Sequence, residues 1–264
     1  MLTTIEIERQ SNVAWVWLSR PDVRNAFDDV MIRELTETFV ALGKDSSVKV
    51  VVLAGRGQSF CVGADLNWMK RMSEYTFEEN RSDAGNLALM LDELYRLPKP
   101  TIARVNGHAF AGGMGLVSAC DIAIASKETQ FCLSEVRIGL IPATIGPYVV
   151  SAMGIRAARR YMMTAERFTA TDAHRFGLVH EVVDIEALDD MVKTFVKHFN
   201  YGGADAHRET KALIEIIDQS ALDQQLINET AIRIARVRAS NEGREGIRSF
   251  LEKRKPSWVG EDEA

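Results

Sequence analysis

At 264 residues, 46% hydrophobic and 26% charged, the chain has the composition of an ordinary soluble globular protein, long enough to bury one sizeable core. Its formal net charge of -5 argues against a general nucleic-acid binder, because phosphate contacts need clustered Lys and Arg. The cysteines, Cys61, Cys120 and Cys132, have no CxxC spacing and lie in apolar surroundings, which reads as buried thiols in a reducing compartment.

The first residues, MLTTIEIERQ, lack both a basic start and a hydrophobic stretch, so no targeting segment is expected and the location is read as cytoplasmic. Thr4 to Glu8 and Val13 to Leu18 alternate like two paired strands around a turn at Gln10 to Asn12. The spacing predicts a helix over 28–42, with Met31, Leu35, Phe39 and Leu42 on one face. The β-branched run Val48 to Leu53 suits a strand buried on both sides. A long helix follows over 77–97, with Leu87, Met90, Leu91 and Leu94 inward, Glu78 and Glu79 at its positive end, and Pro98 and Pro100 stopping it. Thr101 to Val105 and Ile122 to Ala125 add strands. The longest charge-free run, Val105 to Cys120, falls short of the ~20 apolar residues of a membrane span and is rich in glycine, so it reads as buried core. Beyond Pro142 the chain turns helical, and NYGGA at Asn200 to Ala204 is the candidate hinge to a C-terminal helical part, where Arg208 to Ile217 and Leu222 to Ala239 carry apolar residues at helical spacing. Strands alternating with helices through about residue 195 indicate an α/β core.

Two glycine turns carry the chemistry. Gly112 and Gly113 stand between an apolar run ending near Phe110 and the apolar segment Leu116 to Cys120, where they read as the bend that opens a helix. Free N–H groups at such a bend sit at the positive end of the helix and suit an oxygen that becomes negative. SFCVGADLNWM, Ser59 to Met69, is a second glycine turn directly after a strand. Further on, LSEVRIGLIP places the carboxylate of Glu135 among the apolar residues Phe131, Leu133, Val136 and Ile138, surroundings that raise a carboxyl pKa toward working pH.

Taken in order, SFCVGADLNWM, NGHAFAGG and LSEVRIGLIP closely resemble the enoyl-CoA hydratase/isomerase (crotonase) family, over nearly the whole chain. The resemblance implies the crotonase spiral of ββα turns, with a core over 1–199 that carries the acyl-CoA site and a C-terminal helical oligomerisation region over 200–264. It implies that the amides of Ala64 and Gly112 hold a thioester oxygen and that Glu135 acts as general base and acid. Around the coenzyme A and acyl chain it places Val23 and Arg24 of SRPDVRNAF, Val62, Asp65, Leu66 and Trp68 of the first turn, Gly113, and Phe250 and Lys253 of FLEKRKPSW. Lys253 would stand near a phosphate and Phe250 near the adenine, with a neighbouring subunit as one source of both. No separate cofactor and no metal are implied, since the coenzyme A belongs to the substrate and the histidines form no metal set; the expected assembly is a homotrimer or a dimer of trimers.

One position departs from the family pattern. Many family hydratases carry a second glutamate where this chain has Gly115, and no Asp or Glu occurs between Gly107 and Cys120. A single carboxylate is what the family's double-bond isomerases use. Alternatively, GADLNWM, AFAGGMGL and FCLSEVRIGLIPA resemble the bacterial branch acting on β-methyl, carboxylate-bearing enoyl-CoAs such as 3-methylglutaconyl-CoA and its carboxygeranoyl-CoA relative. In that reading, which is preferred, Gly115 leaves room for a methyl branch. Arg137 pairs with the substrate carboxylate if the segment is a regular strand that gives it the face of Glu135. Cys61 reads as packing rather than nucleophile, and His108 as a pocket-wall or core histidine rather than a catalyst. A reading from another class, an acyl-CoA binder whose chemistry has lapsed, is opposed by the retained Glu135 and both glycine turns.

Overall fold

The computed structural model describes residues 2–260. The amino-terminal hairpin pairs β1 (Ile5–Gln10) with β2 (Val13–Leu18) antiparallel. From β2 onward each added strand of the larger sheet is parallel to its neighbour: β3 (Val50–Gly55), β5 (Thr101–Val105), β7 (Ile122–Ser126) and β10 (Glu181–Val183), in the order β1-β2-β3-β5-β7-β10. β3 is buried along its whole length, as its run of β-branched residues requires.

The chain does not pass directly from these strands to helices. After β3, β5 and β7 it makes a tight turn into a three-residue strand of a second sheet: β4 (Ser59–Cys61), β6 (His108–Phe110) and β8 (Gln130–Cys132). Those three run parallel to one another, and β9 (Phe168–Thr169) closes the edge antiparallel to β8. Each turn of the fold is therefore strand, short strand, helix, a spiral of ββα units.

The helices follow from caps and apolar spacing. In α1 (Asp29–Lys44), Asp28 accepts from the Met31 N–H at 2.9 Å, and Met31, Leu35, Phe39 and Leu42 are buried. α2 (Leu66–Met72) starts on Asp65, and α3 (Phe77–Tyr95) on a Thr76–Glu79 capping box with Met90, Leu91 and Leu94 inward. α4 (Gly112–Ala119) is short and buried almost throughout. α5 (Gly146–Thr164) bends at Gly154, whose φ is +74°, and α6 (Ala170–Arg175) leads toward β10. The apolar faces of these elements meet between and beside the two sheets around Phe27, Phe39, Phe60, Leu91, Met114 and Phe131.

A second compact unit begins inside α7 (Leu188–Tyr201), between Lys193 and Thr194, and takes in α8 (Ala204–Gln219), α9 (Gln224–Ala239) and α10 (Asn241–Leu251), together with Pro98–Pro100. Within this single chain Ile214, Ile217, Ile227, Ile232 and Ile234 remain exposed. Among the described residues no helix is long and apolar enough to cross a membrane.

Candidate active site

Because β4, β6 and β8 are parallel neighbours, the segments leaving their carboxyl ends emerge side by side. Those segments are 62–65, 111–113 and 133–135, which hold the two glycine turns and Glu135.

In the first turn Gly63 has φ +93°, a value that a side chain would strain. A Cβ there would stand 3.0 Å from the Ala111 methyl carbon and 3.7 Å from the Gly112 nitrogen, so the two turns are packed directly against each other. Phe27 brackets Ala64: its N–H donates to the Gly63 carbonyl at 2.9 Å, and its own carbonyl accepts from the Asp65 N–H at 3.0 Å. In that parallel bridge the Ala64 N–H points to the opposite side, and it finds no acceptor among the described residues.

The second turn reaches the same result by another route. Ala111 precedes α4 with φ 47° and ψ -120°, a conformation rare outside glycine, anchored by its N–H donating to the Cys132 carbonyl at 2.8 Å. Gly112 is then the first residue of α4, and a first-turn N–H has no partner within its helix. It has none elsewhere among the described residues. Close approach explains both glycines: a Cβ on Gly112 would lie 2.1 Å from Phe27 Cζ, and one on Gly113 would lie 2.2 Å from the Cys61 carbonyl oxygen. Cys61 itself is fully buried, and burial pushes its thiol up to about 12, which leaves it a packing residue.

Glu135 opens a 3-10 turn, Glu135–Ile138, directly after β8 rather than continuing the strand. Its Oε2 is buried and has no hydrogen-bond partner among the described residues. Burial raises its pKa above the usual glutamate value, against the opposing pull of its own backbone N–H. Of its apolar sequence neighbours Phe131 and Leu133 are fully buried, whereas Val136 and Ile138 are exposed, and Glu135 itself is half-buried. The 3-10 turn also corrects the reading of Arg137, which depended on strand alternation: its guanidinium donates to the Ala165 carbonyl.

The space beside Gly115 is occupied, which corrects the expectation of room for a methyl branch. A Cβ there would meet Ile145 Cγ2 at 2.3 Å and Ile145 Cβ at 2.9 Å, with Leu91 beyond at 3.6 Å. At the position where the resemblance implies a second carboxylate in many hydratases, this chain has buried hydrocarbon.

The residues assigned by resemblance to the coenzyme A divide into three groups. Val23 and Leu66 are exposed, Arg24 adopts the left-handed conformation with φ 54°, and half-buried Val62 donates its N–H to the Arg24 carbonyl at 3.3 Å; together they form an accessible rim beside the first turn. Asp65 and Trp68 instead are buried and have protein partners. Asp65 caps α2 through the Asn67 and Trp68 N–H groups and accepts from Arg20 at 2.9 Å, while the Trp68 indole donates to Asp83 at 3.1 Å. The side chains of these two brace the turn. Phe250 and Lys253 lie in the second unit, Phe250 81% exposed on α10 and Lys253 with φ 54° just past its end. His108 stacks on Phe110 with its Nδ1 unpartnered among the described residues; burial, then the charges of Arg167 and Arg24, lower its pKa and favour the neutral ring.

The enoyl-CoA hydratase/isomerase family profile matches residues 8–261. The chain belongs to the enoyl-CoA hydratase/isomerase family. Its fold superposes on a crystal structure of an enoyl-CoA hydratase from Shewanella pealeana with a TM-score of 0.95, at 42% identity over 97% of this chain and 96% of that one. Family relatives include the 1,2-epoxyphenylacetyl-CoA isomerase of Escherichia coli, 30% identical over 95% of this chain and 96% of its own length. Another is the (E)-benzylidenesuccinyl-CoA hydratase of Thauera aromatica, 28% identical over 97% and 99%. A hydratase and an isomerase thus both occur among the relatives.

Sequence reasoning missed the residues that hold this family site together. SRPDVRNAF reads as a coenzyme A contact, yet half of it is scaffold. Arg20 donates to the Ala26 carbonyl at 2.6 Å and pairs with Asp65 and Asp28. The fully buried Asn25 accepts from the Arg20 N–H and donates to the Arg56 and Ser59 carbonyls. A polar residue with two acceptors and no exposure has a structural purpose, and the pairing of Asn25 with a following apolar residue, Phe27, was the available signal.

Proposed function

We propose that the chain adds water across the double bond of a 2-enoyl-CoA, with Glu135 as the sole carboxylate. The observation that carries this reading is the gathering, at three adjacent strand ends, of two amides without protein acceptors and one desolvated carboxyl with an unpaired oxygen. The thioester oxygen accepts from the Ala64 and Gly112 N–H groups. Glu135 takes a proton from water as the hydroxyl oxygen bonds to C3, and the double-bond electrons move onto the thioester oxygen as an enolate. The two amides stabilise that charge by roughly 3–4 kcal/mol each. Glu135 then returns the proton to C2, and one water has been added.

For the substrate we favour a β-methyl enoyl-CoA bearing a second carboxylate, of the 3-methylglutaconyl-CoA type. Support comes from the resemblance of GADLNWM, AFAGGMGL and FCLSEVRIGLIPA to that branch, and from a relative whose named substrate is itself a succinyl-CoA derivative. No separate cofactor enters this scheme. In the same reading the exposed isoleucines of α8 and α9 are covered in a homotrimer or dimer of trimers, which sedimentation of the purified protein tests.

The hydrocarbon at Gly115 favours a second reading, in which Glu135 shuttles one proton between carbons and converts a 3-enoyl-CoA to a 2-enoyl-CoA. Spectrophotometric assay with 3-methylglutaconyl-CoA, crotonyl-CoA and a 3-enoyl-CoA separates the two. Hydration of the first is expected. Turnover of the 3-enoyl compound alone would replace hydratase by isomerase, and binding without turnover of any would indicate a lapsed acyl-CoA binder.

A further inference from the structure

The two unpaired amides sit on segments far apart in sequence, and their separation must be held to a fraction of an ångström for one oxygen to accept from both. Gly63 against Ala111 provides one contact between the turns. A second comes from a residue on neither turn. Phe27 is 2% exposed, and its backbone makes both hydrogen bonds that bracket Ala64, at 2.9 and 3.0 Å. Its ring lies against Gly112 so closely that a methyl group there would fall 2.1 Å from Cζ and 2.7 Å from Cε1.

The ring is itself held among buried neighbours. Trp68 stands at 5.9 Å between ring centroids, tilted by 55°. On one side of Phe27 the Ala26 carbonyl is held by Arg20, and on the other Asp28 caps α1. Trp68 is in turn tied to Asp83.

We infer that Phe27 is the positioning residue that sets the distance between the Ala64 and Gly112 amides, its backbone fixing the first and its ring the second. This rests on the reading that those amides hold the thioester oxygen. Shortening the side chain leaves the Ala64 bracket intact, because that bracket uses main-chain atoms only. It frees α4 to settle toward the vacated space and carries the Gly112 N–H away from the shared oxygen. Ground-state binding of the coenzyme A does not depend on that amide alone, whereas enolate stabilisation does.

The test compares wild type with Phe27→Leu and Phe27→Met. Hydration kinetics are read beside the infrared carbonyl stretch of butyryl-CoA labelled with carbon-13 at the thioester, a saturated ligand that binds without turnover. Wild type is expected to move the stretch to lower frequency. Phe27→Leu should lose most of that displacement and lower kcat by roughly 10- to 100-fold, with KM within about threefold of wild type. Phe27→Met, which refills much of the volume, should recover part of both, and it serves as the test variant if the leucine protein does not fold. A normal carbonyl displacement and kcat in the variants would overturn the role of Phe27 while leaving the amide reading in place. No displacement in wild type would overturn the amide reading itself. A change confined to KM would also overturn the inference.

Discussion

Gly115→Ala sets two known effects against each other. Gly115 lies inside α4 with ordinary helical geometry, so alanine should stabilise the helix by about 1 kcal/mol on propensity alone. Against that, the new methyl would stand 2.3 Å from Ile145 Cγ2 and 2.9 Å from Ile145 Cβ, where ordinary contact begins at 3.4 Å. Neither atom is the far end of a flexible chain. Isoleucine is stiff at χ1, and Ile145 is 2% exposed, so relief requires α4 and the start of α5 to move apart. Overpacking of this kind costs about 1–3 kcal/mol. The clash should therefore win, with net destabilisation of up to about 2 kcal/mol and a Tm lower by up to roughly 8 °C at this chain size. Ile145→Ala alone should cost about 2–5 kcal/mol. In that background Gly115→Ala should cost less than in wild type, because the 2.3 Å contact with Cγ2 is gone while the 2.9 Å contact with Cβ remains. Thermal melts of the four proteins measure the cycle. If Gly115→Ala raises the Tm of wild type, or lowers it equally in both backgrounds, Ile145 is not what keeps residue 115 bare. The same cycle bears on chemistry: Gly115→Glu should be tolerated better alongside Ile145→Ala than alone.

Four further outcomes follow from the charged groups. Glu135→Gln should lower hydration by roughly 10²- to 10⁴-fold, as measured by loss of enoyl absorbance, and retention of near-full turnover would remove Glu135 from the mechanism. The same substitution should stabilise the fold near neutrality: with a folded pKa raised by burial, Glu135 carries no penalty below its unfolded value and loses stability as pH rises through the folded one. The Gln variant should thus melt above wild type at about pH 8 and level with it at about pH 4; the reverse order would contradict the desolvation. For kcat/KM, the acid limb should lie above the usual glutamate range, since burial must be overcome before Glu135 can act as a base. Glu34 behaves oppositely. Burial pushes its carboxyl up, but donors from the Thr4 and Thr3 hydroxyls and N–H groups at 2.5–2.9 Å outweigh it and leave the pKa lowered. Its stabilisation is present above the unfolded value and lost as pH falls through the folded one, so Glu34→Gln should cost about 1–3 kcal/mol near neutrality and less in acid, by denaturant melts.

What was legible in the sequence was what local physics encodes. Long elements announce themselves by period: Met31, Leu35, Phe39 and Leu42 face inward as their spacing requires, and the continuous run before Gly55 is a strand buried on both faces. The glycine turns were legible for a related reason, since a residue without a side chain inside an apolar segment marks close approach of something. What approaches was not legible. The contacts at Gly112, Gly113 and Gly115 come from Phe27, Cys61 and Ile145, each brought in by another part of the chain. Strands of three residues such as β4, β6 and β8 are too short to show alternation, so the second sheet, which gathers the site, left no periodic trace. Asp65 and Trp68 show the same limit from the other side. Their place in GADLNWM is conspicuous, but only the fold shows that Arg20 and Asp83 already occupy their polar atoms. Gly115 is the sharpest instance. The bare position suggested a space for substrate, and the fold fills it with Ile145, so a glycine in a site can mean room for a ligand or room for the protein's own core. The two have opposite consequences for chemistry: the first admits a bulkier substrate, whereas the second leaves no space for an acid at position 115 and, in the proposed reaction, leaves Glu135 to move every proton.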